Sequence, residues 1–285
     1  MMRRSATILA LLLLCGTLGA QEGSFLRELR PCYFTTGVPL GQSLSKETSD
    51  VKFQFSFQIP LADDISGKGW NLGLGYSQIS LWNLYAHSSP FYDTTFIPGL
   101  YLDRTFDAPS GQRNLLAGIE HRSNGRDDAY SRSVNYIFAL YSRRWDRPGT
   151  GSLTLSGGLR LGTGWYGDDL TMDIMTVYSG LLKFKALLSS ADLRWELMAE
   201  ALPVLNPYIA NVTAEIRFRP IQKAANAYLF AQFHRGYDEA FRDCVTVGGP
   251  VIQADGNVPY DGLDPVAPRP FVRFGLMFCP DNFLR

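Results

Sequence analysis

The chain has 285 residues, and 27 lysines and arginines balance 27 aspartates and glutamates, so its formal charge is zero. A neutral chain offers no cationic footprint, which excludes nucleic acid as a partner. Charged residues make up only 19% of the sequence, against 14 tyrosines, 18 phenylalanines, 5 tryptophans and 27 glycines, a mixture that points to β-structure and excludes disorder.

The first element is residues 1–20. Arg3 and Arg4 precede the apolar run Ile8–Leu14 and the small-residue tail Gly16–Ala20, the pattern of a secretory signal cleaved after Ala20. Cys15 raises a lipoprotein signal as the alternative, although Leu14 before it is larger than such a site prefers. Beyond residue 20 no apolar, charge-free run reaches the roughly 18 residues that a membrane helix needs.

Residues 21–50 are expected to form a periplasmic N-terminal segment with one short strand, Cys32–Thr36. Residues 51–285 form the main domain, and Val51–Leu61 sets its pattern. Val51, Phe53, Phe55, Phe57, Ile59 and Leu61 alternate with Lys52, Gln54, Ser56 and Gln58, so apolar and polar side chains fall on opposite faces of a strand. Further strands are expected at 70–81, 94–104, 113–123, 132–144, 151–163, 174–187, 191–202, 208–219, 225–236 and 270–279. Strands of soluble sandwiches average about five or six residues, whereas a tilted strand crossing a bilayer needs about nine to eleven. The lengths favour an all-β transmembrane antiparallel barrel of about twelve strands, with a secreted β-sandwich as the competitor.

With both termini periplasmic, 61–69, 105–112, 145–150 and 220–224 become periplasmic turns. The segments 82–93, 124–131, 164–173 and the long 237–269 become outer loops.

The fifth strand ends in a constellation that can carry chemistry. His121 and Ser123 are two apart and share the outward parity of Leu115, Ala117 and Ile119, while Glu120 and Arg122 look inward. An imidazole and a hydroxyl facing lipid are costly unless they meet a polar interface or do work. Polar residues at a strand rim are also common without any catalytic role. Asn135 sits on the adjoining strand, within reach of His121, and can accept a hydrogen bond that fixes the imidazole tautomer.

These residues are written His121-Arg122-Ser123-Asn124-Gly125-Arg126 and Ser131-Arg132-Ser133-Val134-Asn135. In that form they resemble the His-x-Ser-Asn-Gly-Arg and Ser-Arg-Ser-x-Asn motifs of the bacterial outer membrane phospholipase A family. Lys52-Phe53-Gln54-Phe55-Ser56, Tyr76-Ser77-Gln78 and Ser88-Ser89-Pro90-Phe91 are similar to the family as well.

The resemblance implies a calcium-dependent enzyme that hydrolyses membrane phospholipids on the outer wall of its barrel. It implies Ser123 as nucleophile, His121 as base, Asn135 as its support and the Gly125 amide as part of the oxyanion hole. Calcium ligands are implied at the Arg126 carbonyl, the Ser131 hydroxyl and, across a calcium-dependent homodimer, Ser88. A second position using Asp128 with Asp169 is suggested by a looser match; Asp127 and Asp128 also read as solvated loop charge. Gln78 matches a family position at the dimer interface, and its alternative is a polar side chain inside the barrel. A passive pore and a catalytically silent barrel are the functional competitors, although twelve strands enclose only a small lumen.

Outside the signal, cysteines stand at 32, 244 and 279. Cys32 opens the first expected strand and Cys279 closes the last, and in a closed barrel those strands are neighbours at one end. A disulfide between them is expected, with unpaired thiols as the alternative.

Overall fold

The alternation that starts at Val51 runs around a sheet that closes on itself. The structure, a computed structural model, describes residues 26–126, 133–163, 180–204, 210–221, 227–236, 251–252, 259–260 and 270–278. In chain order the strands begin with β1 (Cys32–Pro39), β2 (Asp50–Ile65), β3 (Trp70–Trp82), β4 (Phe91–Ala108) and β5 (Gly111–Ser123). They continue with β6 (Ser133–Arg147), β7 (Gly151–Thr163), β8 (Leu182–Ser190), β9 (Trp195–Pro203) and β10 (Ala210–Phe218). β11 (Ala227–Arg235), the short β12 (Val251–Ile252) and β13 (Pro259–Tyr260), and β14 (Phe271–Phe278) complete the set.

Among the described residues, β1–β11 and β14 form one closed antiparallel barrel of twelve strands, sealed where β14 meets β1. Closure leaves no edge with unpaired amides, which is what a sheet in lipid requires. β12 and β13 pair only with each other, within the expected outer loop 237–269, whose other residues up to 269 lie outside the described set.

The two faces separate as the period of two demands. Lys52, Gln54, Ser56 and Gln58 are buried in the lumen, while Leu74, Ile119, Ile137, Leu155, Leu197 and Phe274 stand exposed on the outer wall. Aromatic rings mark both rims of this belt. At the short-turn end Trp195 packs on Phe218 with centroids 4.5 Å apart, and at the loop end Trp82 stacks on Phe91 at 5.1 Å. Such girdles place amphipathic rings at the two membrane surfaces.

Several strand ends differ from the sequence expectation, each for a local reason. β4 runs on to Ala108 and β5 starts at Gly111, because Phe106–Arg113, Asp107–Gln112 and Ala108–Gly111 continue the ladder into a tight turn. The polar and breaker residues of 105–112 suggest a longer loop, but Ser110 and Gly111 alone supply the positive φ angles needed. Likewise the expected strands 174–187 and 191–202 are Leu182–Ser190 and Trp195–Pro203, with residues 174–179 outside the described set. The turn at 191–194 is closed by Ser190, whose hydroxyl donates to Asp192 at 2.6 Å and holds that carboxyl below its usual range.

The segment expected as periplasmic, 21–50, is split by β1. Because β1 crosses the whole wall, residues 40–49 lie at the loop end, where the Leu40 amide donates to the Pro270 carbonyl. Residues 26–31 instead enter the lumen from the other end. Arg27 pairs through its backbone with Gln58 in both directions, Leu29 is buried, and Pro31 accepts a 2.7 Å hydrogen bond from Gln54 Nε2. A cavity of about 290 Å³ remains beside this plug. The expected signal 1–20 and Cys279 lie outside the described residues; Cys32 is buried opposite Phe278, the residue before Cys279.

The lumen is cross-braced by ion pairs. Arg217 lies 3.2 Å from Glu196 and 2.7 Å from Glu215, and Arg273 lies 3.1 Å from Asp50. Removing Arg217 would take this cation from two buried carboxylates and leave them the neutral donors Tyr228 and Gln232. Arg217→Met is therefore expected to destabilise the barrel by about 3–5 kcal/mol, read as a lower urea midpoint in detergent micelles; an unchanged midpoint would show that the brace is idle.

Candidate active site

β5 and β6 meet in a register that puts His121 directly across from Asn135 and Ser123 across from Ser133. His121 Nδ1 and Asn135 Oδ1 are 2.7 Å apart. An amide oxygen can only accept, so the imidazole proton sits on Nδ1 and donates to it. That leaves the Nε2 lone pair as a base. Ser123 shares this outward face two residues along the strand, and its hydroxyl makes no hydrogen bond to another described residue. The arrangement is a hydroxyl, a base and a group that orients the base, which is the pattern for nucleophilic ester chemistry.

The neighbouring strand is adapted to this spot. The pairs Phe96–Ser123 and Gly99–Glu120 keep one register between β4 and β5, so Pro98 falls opposite His121. Proline has no N–H to contribute to the ladder there. Beyond Ser123 the chain turns at Gly125, which has φ +63°. A Cβ at Gly125 would come within 2.7 Å of the Phe96 ring, so both backbone and space require glycine. Asn124 is buried and its Oδ1 accepts from the Arg126 amide at 3.4 Å.

His121, Ser123, Asn135 and Gly125 are thus gathered on one stretch of wall, with Arg126 next in the chain. Ser88 lies in the loop between β3 and β4, at φ +65°, with its Oγ 3.2 Å from His87 Nδ1, and is not hydrogen-bonded to His121, Ser123, Gly125, Arg126 or Asn135. Asp128, Ser131 and Asp169 lie outside the described residues. No group of three or more His, Cys, Asp or Glu side chains gathers as metal ligands among the described residues.

Gln78 does not face the lumen. It shares the outward parity of Leu74 and Tyr76, while Gly73, Gly75 and Ser77 face in, so the alternative of an interior side chain is not what the structure has. On the outer wall Tyr76 Oη donates to Gln78 Oε1 at 2.9 Å, and Gln78 Nε2 donates to Ser80 Oγ at 3.0 Å. Thr94 Oγ1 extends this polar string to Ser80 at 3.2 Å. Strict parity counting from Leu74 finds this face. Phe96, which fills the space under Gly125, and Arg30, which reaches Glu120 from the plug, were not singled out in the sequence.

A family model described as Phospholipase A1 matches residues 37–244. Phospholipase A1 of Proteus vulgaris is 32% identical over 205 residues, covering 68% of this chain and 64% of the relative. Phospholipase A1 of Klebsiella pneumoniae is 40% identical over 95 residues, 32% of this chain and 33% of the relative. Such matches span between 31% and 64% of the curated relatives' own lengths. The outer membrane phospholipase A structure from Escherichia coli superposes with a TM-score of 0.68 at 22% identity, covering 90% of this chain and 98% of that one. The Salmonella typhi outer membrane phospholipase, solved as a dimer with bound calcium, gives 0.68 at 21% identity over 94% of this chain and 97% of that one. At such identities the superpositions establish the fold, a closed barrel of the same kind.

Proposed function

The chain belongs to the phospholipase A1 family, and from that we propose that it is an outer-membrane phospholipase that cleaves acyl esters with Ser123, His121 and Asn135. The observation that carries this is the His121–Asn135 hydrogen bond on an apolar outer wall, with Ser123 on the same face. Ser123 Oγ attacks the ester carbonyl while His121 Nε2 takes its proton. Collapse of the tetrahedral intermediate expels the lysophospholipid alcohol, which receives that proton back. Water then repeats the two steps, releasing the fatty acid and restoring Ser123. Asn135 keeps the imidazole in the required tautomer, although as a neutral group it stabilises the imidazolium less than a carboxylate would. The Gly125 N–H would donate to the oxyanion. Because the site lies on the wall, the ester can be reached from within the lipid leaflet.

Calcium and a second copy complete the proposal. The Ser131 hydroxyl, the Arg126 carbonyl and Ser88 of the other copy would hold the ion, with Asp128 and Asp169 forming a second position. The donor set is all oxygen, which suits a hard cation, and its lack of a carboxylate makes the site weak. Bound calcium would supply positive charge, and water carried on it, for the developing oxyanion. The relative solved with calcium is a dimer, and the Gln78 string on the outer wall offers the polar patch such an interface needs. Both termini would then face the periplasm and the site the outer leaflet. A pore finds less support, because residues 26–31 and the ion pairs occupy the lumen.

The test is fatty-acid release from dispersed phospholipid by the detergent-solubilised protein. Release should require calcium, stop with chelator, and rise in step with a cross-linked dimer. Equal release from calcium-free monomer would sink the dimeric calcium site, and no release from folded dimer would sink the enzyme.

A further inference from the structure

β5 carries His121 and Ser123 on its outer face and Glu120 and Arg122 on its inner face, so whatever grips Glu120 also sets the position of His121. On its β4 side the ladder is weakened there. Pro98 stands opposite His121, and β4 and β5 show paired residues at Phe96–Ser123 and again only at Gly99–Glu120. β6 therefore holds the catalytic stretch on one side, where pairing is continuous from Gly118 to Ser123, and the β4 side is where a further support is needed.

The lumen supplies it. Arg30, from the N-terminal plug, donates through Nη2 to Glu120 Oε1, and Tyr101 Oη donates to the same oxygen at 3.0 Å. The other guanidinium nitrogen, Nη1, donates to Ser77 Oγ at 2.9 Å, and Ser77 is hydrogen-bonded to Ser56 at 2.6 Å. One side chain thus ties β5 to β3, and through Ser56 to β2, while Tyr101 ties β5 to β4. The inner wall is cut back to admit this assembly: a Cβ on Gly75 would collide with the Tyr101 ring and with Leu29, and one on Gly99 would meet the Tyr101 hydroxyl. Arg30 is itself fixed by its neighbours, since Arg27 pairs with the Gln58 backbone and with the Asp63 carboxylate at 2.8 Å.

We infer that Arg30 is a positioning residue: through Glu120 the N-terminal plug holds β5 from inside the barrel, so that His121 and Ser123 stay in productive geometry on the outside. This rests on the phospholipase reading of the same site, and it makes the plug part of the enzyme rather than only a stopper. A small misplacement of reacting groups can cost far more rate than binding.

The test compares Arg30→Met, Arg30→Lys, Glu120→Gln and the double variant Arg30→Met/Glu120→Gln as folded, full-length protein in detergent. For Arg30→Met, kcat on dispersed phospholipid should fall on the order of tenfold while KM changes little. Arg30→Lys should recover most of the loss, and the double variant should be no slower than Arg30→Met, because both substitutions remove the same Arg30–Glu120 ion pair. The proton on His121 Nδ1, followed by NMR in micelles, should broaden or vanish in Arg30→Met. A folded Arg30→Met with wild-type kcat and an unchanged Nδ1 proton would overturn the inference, as would Arg30→Lys no better than Arg30→Met. If the wild type hydrolyses no phospholipid, the phospholipase reading fails, and the His121 resonance still decides the clamp.

Discussion

Ser123→Ala should lower kcat/KM for phospholipid on the order of 10⁴–10⁶-fold, since it removes the hydroxyl proposed as the nucleophile. His121→Ala should lose a comparable amount, because without Nε2 the hydroxyl keeps its proton. The two losses should not add. A base and the nucleophile it serves act as one unit, so the double variant should be about as slow as either single one. Initial rates of fatty-acid release at saturating calcium measure all three. Losses that multiply in the double variant would mean that the two residues work independently, and the catalytic assignment would fall.

Gly125→Ala is expected to cost on the order of 10²–10³ in kcat, the scale of losing one oxyanion donor. Two separate effects push the same way. An L-residue at φ +63° adds roughly 1–2 kcal/mol of backbone strain, and the new methyl meets Phe96. Relaxing either one swings the 124–126 turn and takes the amide off its target. The contributions can be separated with Phe96→Ala: in that background the steric part disappears and Gly125→Ala should be milder, while the strain remains. If Gly125→Ala has wild-type kcat, the amide is no oxyanion donor.

The barrel was legible because its restraint is periodic. Each strand must show apolar side chains to lipid and polar ones to the lumen, so Val51–Leu61 and its successors carry the fold in a two-residue rhythm. The His121–Asn135 contact was legible for a related reason: once two strands form a hairpin, register alone brings residues on facing strands together. Strand ends were not legible, since a two-residue turn at 109–110 and a longer polar loop draw on the same residues. The plug was hidden for a deeper reason. Residues 26–31 follow no period, and Arg30 meets a partner on β5, 90 positions further along the chain. Such a contact exists only after the barrel has closed. Gln78 was readable by parity, but a glutamine on a lipid-facing wall contradicts the rule that polar residues turn inward, so pattern alone pulls its placement both ways.

Covalent trapping asks whether Ser123 is a nucleophile activated by His121 at the lipid surface. A long-chain alkylsulfonyl fluoride, added to folded protein in detergent with calcium, should sulfonylate Ser123, found by mass spectrometry on the peptide that contains it. Loss of fatty-acid release should track labelling one for one, and His121→Ala should slow labelling sharply. An active protein whose inhibition leaves Ser123 unmodified, or labelling of Ser123 at the same rate in His121→Ala, would mean that Ser123 is not a nucleophile activated by His121.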